Sequence, residues 1–466
     1  MNKKKNFTEG PIGGPIFTFV LPMIASYLLQ MAYSIADSSA VGRLVGSDEL
    51  AAVSATSSFS GLIVNMLTGV GVGAGVLVAR YFGAKDMRRV ERSVHTSMIM
   101  SLIVGVAFCV AALLLHAPII DLYIKEPRYV PIAKGYMGII CLGIPATAVY
   151  NYASAVLRSL GDTKTPLIIG AVTGLVNVAL NYTLILGIEG IGEAGAAIAT
   201  ITAQYLSAVT VVVYMFVRKS KPYALRWSSM RFDAGVAFSS LKLGIPAGIQ
   251  SSCLSLSNIV LNSSVTALSP AANAQIAQYA NSIVHSLTGI SWSAVACYAQ
   301  ATTSYMGQNW GAGKFDRVKR GFIVISAQGV LVLAVMVASE LLASPWLCRL
   351  FINDNAPVEE TVALAIPLLA FVMIPYVLAT VMDVMQGMLR GLGYSTVPMA
   401  ISLIAVVGFR IVWSQLVFPF FTEDYYSIYK LYLCYMISYV ITIAALGIYM
   451  AMKWRGMRER VERAKG

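Results

Sequence analysis

The chain has 466 residues, of which 57% are hydrophobic and only 12% charged, with mean hydropathy +0.71 and a formal net charge of +12. Soluble domains carry about 25% charged residues, so this composition excludes the soluble-enzyme classes and specifies a polytopic membrane protein. The positive charge does not indicate nucleic-acid binding, because it is sorted by loop in the way membrane topology requires.

The first apolar run, near 15–42, opens at Pro15, contains Pro22 and holds one acid, Asp37. It is too long for the apolar core of a secretory signal, and no cleavable signal is expected. A carboxylate in hydrocarbon costs roughly 3 kcal/mol on insertion scales, which makes Asp37 a functional candidate. About 22 residues from Pro15 span roughly 33 Å. Asp37 therefore lies in the outer part of the membrane, and an interfacial residue is the alternative reading. Further runs follow near 50–80, 93–116, 131–157, 166–187 and 192–217, then near 237–265, 272–306, 321–345, 362–389, 397–420 and 429–452, twelve spans in all.

With the N-terminus inside, 27 of the 34 Lys and Arg residues fall in inner segments. Six fall outside (Arg43, Lys125, Arg128, Lys134, Arg349, Lys430), and only Arg410 lies within a span. Both termini are therefore expected in the cytoplasm. Acids lean outward, among them Glu189, Asp354, Glu423 and Asp424.

Two loops repeat. Phe82-Gly83-Ala84-Lys-Asp-Met-Arg-Arg89 matches Trp310-Gly311-Ala312-Gly-Lys-Phe-Asp-Arg317 at an offset of 228. Ala155-Val-Leu-Arg158-Ser-Leu-Gly161-Asp-Thr-Lys-Thr-Pro166 matches Gly387-Met-Leu-Arg390-Gly-Leu-Gly393-Tyr-Ser-Thr-Val-Pro398 at 232, and Pro22 and Pro246 open the halves at 224. Each half holds six spans, so the halves run parallel. They are expected to be related by a pseudo-two-fold axis along the membrane normal, with a cavity between them. The expected division is a six-helix half at 1–217, a basic cytoplasmic linker at 218–236, a second six-helix half at 237–452 and a basic tail at 453–466. Gly83, Gly161, Gly311 and Gly393 read as tight reversals, with a gating role the alternative.

These motifs, the paired loops and Gly195-Ala-Ala-Ile-Ala-Thr200 at the opening of span six together resemble the multidrug and toxic compound extrusion (MATE) family. The resemblance covers nearly the whole chain. It implies twelve transmembrane helices in two six-helix bundles and secondary antiport, with H⁺ or Na⁺ entering as an organic cation, drug or toxic compound leaves by alternating access. Asp37 matches the family's cation-coupling acid of the first helix, and Pro22 matches that helix's bending proline. Asn177 and Asn181 match a motif of span five whose last residue is Asp in some branches, and Thr200 matches a hydroxyl that completes the site. Interhelical hydrogen bonding is the alternative for Asn177, Asn181 and Thr200. Their oxygens, with Asp37, suit either a relayed proton or coordinated Na⁺ at Asp37, Asn177 and Asn181. The proton is slightly favoured.

In the second half, Asp383 lies seven residues, roughly 10 Å, before Arg390, and its repeat mate is Asn151. Arg410 lies about 18 Å past Pro398, near mid-membrane. An arginine there needs a partner, and an ion pair with Asp383 is expected. Glu340 is read as interfacial. Gln250, Asn258 and Asn262 share one helical face and, with Gln30, Tyr33, Asn151 and Met382, are candidates for a substrate cavity, packing being the alternative. Gly69-Val-Gly-Val-Gly73-Ala-Gly75 lies inside a span with no strand before it, so it reads as helix packing rather than dinucleotide binding. The six cysteines are scattered and His95, His116 and His285 are isolated. No metal site, cofactor, disulfide framework or enzyme activity is expected.

The expected partners are a small cationic or amphipathic substrate and the bilayer of the cell membrane, with no nucleic acid, and the chain is expected to act as a monomer. A flippase for a lipid-linked precursor is the alternative function. It calls for several basic residues in its cavity, where this chain sets one intramembrane arginine against Asp37 and Asp383.

Overall fold

The computed structural model describes residues 7–124, 126–188, 191–265, 268, 271–350, 357–422 and 425–465. Lys3, Lys4, Lys5, Lys125, Glu189, Asp354, Glu423 and Asp424, which enter the topology expectation, lie outside the described residues.

Hydrocarbon offers no partner for backbone amides, so a spanning segment must satisfy its own, and this chain does so with helices. They are α1 (Gly13–Leu44), α2 (Ser47–Gly83), α3 (Met87–Tyr123), α4 (Tyr129–Leu142), α5 (Ile144–Ser159), α6 (Lys164–Gly187) and α7 (Gly192–Val217). Then come α8 (Ala234–Ser264), α9 (Ala271–Gly311), α10 (Phe315–Leu350), α11 (Val358–Met373), α12 (Tyr376–Gly391), α13 (Thr396–Ser402), α14 (Phe409–Val412) and α15 (Ile428–Lys465). Wide π-turns at Leu403–Gly408 and Trp413–Val417 flank α14 and join it with α13 into one continuous segment. Among the described residues nine helical stretches are long and apolar enough to span, and the pair α4 and α5, bent by 46°, supplies a tenth. With the more polar α8 and α9, of 31 and 41 residues, these make the expected two sets of six.

The fourth span is thus broken where the sequence reads as one run. Gly143 ends α4, and Pro145 sits in the first turn of α5, where its missing N–H costs nothing. Pro375 stands between α11 and α12 at the corresponding place in the second half. Other helix starts are capped. The Asp86 carboxylate accepts the Arg89 amide at 3.0 Å to open α3, and Asp162 takes the Thr165 amide at 3.0 Å to open α6. Asp233 accepts from the Val236 amide at 3.1 Å to open α8, and that bond holds its carboxyl below the usual carboxylate range.

Burial is inverted relative to a soluble helix. On α3, Ser93, Ser97 and Ser101 are buried, while Leu102, Ile103, Val106, Val110 and Leu114 are exposed. Apolar side chains can face lipid, and the polar ones turn inward.

The chain forms two compact units. The first comprises Met1–Gly10, Thr18–Ser252 and Gly307–Lys314; the second comprises Pro11–Phe17, Cys253–Met306 and Phe315–Gly466. In the first unit α2 is packed on two faces. Gly71 and Gly75 lie against α5 at Asn151 and Ala155, where a β-carbon would find ordinary to tight contact. Gly69 and Gly73 lie against α8, where a β-carbon would collide with the backbone of Gly248 and of Ser240 and Gly244. At its end α2 meets the end of α9. A β-carbon on Gly83 would strike the Gln308 carbonyl, and one on Gly311 would strike the Arg80 carbonyl. These two glycines therefore serve close approach, not chain reversal. The left-handed positions are Lys85 and Gly313, at φ 60° and 67°, and Gly161 and Gly393, at 90° and 85°.

The same unit holds down two further segments. Gln308 accepts from the Phe7 amide at 3.1 Å and donates to the Ser159 carbonyl at 2.8 Å, while Lys314 donates to the Thr8 carbonyl at 2.9 Å. The stretch between α7 and α8 is docked on α3: Nε2 of buried His95 accepts the Arg226 amide at 3.0 Å, and Arg92 pairs with Asp233 at 3.3 Å. The core of the second unit is built on α9, α10, α11, α12 and α15, around residues such as Leu287, Leu333, Leu368, Met385, Leu389 and Tyr439.

Candidate functional site

The first unit brings Asp37, Asn177, Asn181 and Thr200 together from three helices. Asp37 sits on α1, one turn after Tyr33. Tyr33 itself is seated by a glycine: its ring occupies the space that a side chain at position 174 would fill, and its hydroxyl donates to the Ala171 carbonyl at 2.9 Å. The α1–α6 contact is thus pinned immediately before the acid. Asn177 and Asn181 follow Thr173 at four-residue intervals on α6, so all three project from one face. Thr173 meets α7, and the two asparagines meet Asp37.

Thr173 accepts from Ser207 of α7 at 2.8 Å. Turned so that both of its ends find a partner, the Asn177 amide donates through its nitrogen to the Asp37 carboxylate, 2.8 Å from Oδ1 and 3.2 Å from Oδ2, with its other end 3.5 Å from Thr200 Oγ1. Asn181 Nδ2 also donates to Asp37 Oδ1. Asp37 therefore receives two amide donors on its carboxylate. Asn177 and Asn181 are 6% and 1% exposed, so water does not compete for these bonds. The Asn181 Oδ1 atom is buried without a hydrogen-bond partner among the described residues.

The donor set decides what the cluster can do chemically. An anion ringed by amide N–H groups is held as a hydrogen-bond acceptor. A hard cation asks for oxygen ligands, which Asp37, Thr200 and an amide turned the other way would present. Among the described residues no group of three His, Cys, Asp or Glu side chains is placed to hold a metal ion.

Other candidates fall differently. Pro22 lies inside α1, which runs helical through it. Gln30 is exposed and makes no hydrogen bond among the described residues. Asn151 is half-buried on α5 at the α2 contact, and Gln250 is buried on α8. A shallow groove of about 410 Å³ runs along α1 past Ser34, Ser38 and Ser39, on a different face from Asp37.

The second unit corrects three expectations. Arg410 does not pair with Asp383. It is 3% exposed, donates through Nη1 to Asn258 Oδ1 at 3.2 Å and through Nε to Ser438 Oγ at 3.4 Å, and lies 3.8 Å from the centre of the Tyr435 ring. The π-turns on either side of α14 change the angular step between residues, so Arg410 turns toward α15. The charge that acts on Asp383 is Arg390, on its own helix. Glu340 is not interfacial in its surroundings but 6% exposed, with Oε1 accepting from Ser291 Oγ at 2.8 Å. Met382 is 1% exposed and packed inside the apolar core, not presented at a surface. Asn262 accepts from Asn281 at 3.3 Å, and Asn281 in turn accepts from Tyr432. Asn281 stands out in the sequence only as a polar residue inside an apolar run, and Ser291 and Ser438 give no signal, since single polar residues inside spans give no hint of which neighbour they face.

A family model described as MatE matches residues 22–183 and 246–416. The chain is 27% identical over 406 residues to a probable multidrug resistance protein, YoeA, of Bacillus subtilis, covering 84% of each. It is 25% identical over 366 residues to an FAD transporter of Shewanella oneidensis, covering 77% of this chain and 78% of that one. Among solved structures, a MOP superfamily transporter from Pyrococcus furiosus, reported with a binding pocket of reverse polarity, has a TM-score of 0.87 at 19% identity, over 97% of this chain and 98% of the other.

Proposed function

The chain belongs to the MatE family, a family of multi-pass efflux transporters rather than enzymes, and from that premise we propose that it is a secondary antiporter exporting small amphipathic or cationic compounds in exchange for protons. One observation carries the reading: Asp37 on α1 holds two amide donors from α6, with Thr200 of α7 behind them. A lone carboxylate served by neutral donors from another helix can exist with or without its proton. When it takes the proton it becomes a donor itself and no longer requires both amides. The grip of α1 on α6 then differs between the loaded and unloaded forms, which is the differential interaction that a coupled conformational change needs. The proton is preferred to Na⁺ because a single carboxylate can carry a proton by itself, whereas a hard cation asks for several oxygen ligands at once.

Alternating access follows from the internal repeat, with halves at 1–217 and 237–452 joined by 218–236 and a tail at 453–466. Both termini lie in the cytoplasm on the distribution of basic residues, and the chain works as a monomer in the cell membrane. Pro22 supplies a place for α1 to bend, because it gives no N–H to the preceding turn.

The experiment is export of a fluorescent organic cation from proteoliposomes, driven first by an imposed proton gradient and then by a sodium gradient, for wild type and Asp37→Asn. The proton gradient drives wild-type export and the variant loses that response. Export that persists in Asp37→Asn with both gradients dissipated refutes antiport. A response to sodium alone refutes the choice of ion.

A further inference from the structure

Arg410 is the one basic residue that the sequence leaves within a span, and no carboxylate of the described residues pairs with it. Among the described residues it makes no ion pair within 4.0 Å, although it is 3% exposed. Its contacts are neutral: Asn258, Ser438, and the rings of Tyr435 and Tyr439, whose centres lie 3.8 and 5.2 Å from the guanidinium carbon. A desolvated cation held only by neutral groups retains a strong demand for an anion. Guanidinium has five N–H donors, and Asn258, Ser438 and the Tyr439 hydroxyl engage only part of that set.

Asn258 supplies an independent observation. Its Oδ1 accepts from both Arg410 and the Tyr435 hydroxyl, the latter at 3.1 Å, which fixes the amide with oxygen toward the arginine. The amide nitrogen is thereby turned the other way and makes no hydrogen bond among the described residues. Asn258 and Tyr435 are only half-buried, so this edge is reached from their side. Among the described residues the cluster offers donors and positive charge, with no acid paired to it.

We propose that Arg410 and Asn258 form, within the second unit, a binding site for an oxyanion carried by the transported molecule. The substrate class is then amphipathic compounds bearing a carboxylate or phosphate, zwitterions included. Guanidinium pairs with either group through parallel N–H bonds, and the aromatic neighbours exclude water from the pair. This rests on the efflux reading and adds to it the chemistry of the cargo.

The test measures binding to the full-length protein in detergent by fluorescence polarisation, using two matched pairs of probes. A rhodamine with a free carboxylate is compared with its methyl ester, and flavin mononucleotide with riboflavin. Wild type binds the acid member of at least one pair tenfold or more tighter than its mate without the anionic group, and the pair that discriminates identifies carboxylate or phosphate. Asn258→Asp gives Arg410 an internal counter-ion, so the variant keeps its buried charge satisfied and folds, and its acid-to-neutral ratio falls toward one. Arg410→Met, checked by thermal unfolding, loses the same ratio. A wild-type ratio of one for both pairs overturns the proposal, as does an Asn258→Asp ratio equal to wild type. Proton-driven export of the rhodamine ester is measured in parallel. If it persists while the ratios are one, only the oxyanion site fails; if no probe is bound or exported, the efflux reading fails and this site with it.

Discussion

Replacing Asn181 by Leu tests whether the amide cluster serves ion exchange or only packing. The side chains share branching and number of heavy atoms, Asn181 is 1% exposed, and its Nδ2 donates to Asp37. A hydrogen bond to a charged group contributes roughly 1.5–3 kcal/mol, and at this burial no water replaces it. The Asp37 anion would then keep only the Asn177 donor, at 2.8 and 3.2 Å. Any step that passes through that anion should slow by about 10–100-fold, at about 1.4 kcal/mol per factor of ten. Fold stability should move in the opposite sense or little, because the substitution also removes an unsatisfied Asn181 Oδ1 from the interior. The assay is export from proteoliposomes across a series of imposed pH differences, with thermal unfolding on the same preparation. Export within twofold of wild type, with an unchanged response to the pH difference, would refute the coupling of Asn181 to Asp37.

Two further outcomes concern packing. Gly73→Val should lower the thermal unfolding temperature by overpacking the contact with Ser240 and Gly244, a cost of about 1–3 kcal/mol, whereas Gly71→Ala, with its nearest neighbour at 3.5 Å, should be tolerated. Equal unfolding temperatures for the two variants would remove the distinction between the two faces of α2. Glu340→Gln keeps an acceptor for Ser291 and should unfold close to wild type, while Ser291→Ala strips the buried carboxyl of that partner and should cost roughly 1–3 kcal/mol, read by the same measurement.

Much of the site was legible because its residues are the wrong type for their surroundings. Asp37, Asn177, Asn181 and Thr200 are conspicuous in apolar runs, and four-residue spacing alone puts the two asparagines on one face. Depth along a helix can also be counted, which is why the spans and their number emerged. Rotation about the helix axis cannot be counted across a π-turn, and Arg410 sits between two of them, so its assignment to Asp383 failed. Glu340 was misread for a related reason: position near the end of a run does not tell which side of the helix is covered. Gly83 and Gly311 were misassigned to turns because composition does not separate a glycine needed for φ from one needed for room. Only the folded chain shows that Lys85, not Gly83, takes the left-handed conformation.

The meeting of α2 with α9 has a consequence for how the chain is put together. Gly83 touches Gln308 and Gly311 touches Arg80. Since 83 and 311, and 80 and 308, are repeat mates at the same offset of 228, position i meets j while the mate of i meets the mate of j. That reciprocity is the mark of an isologous contact, the kind made by two identical subunits about a two-fold axis. In a true dimer one gene sets both sides, and every substitution acts twice. Joined in one chain, the two sides are free to diverge, and they have done so: arginine stands opposite glutamine, and a strained lysine corresponds to a relaxed glycine. The two glycines at the crossing remain the same, because there a side chain on either partner would push the backbones apart.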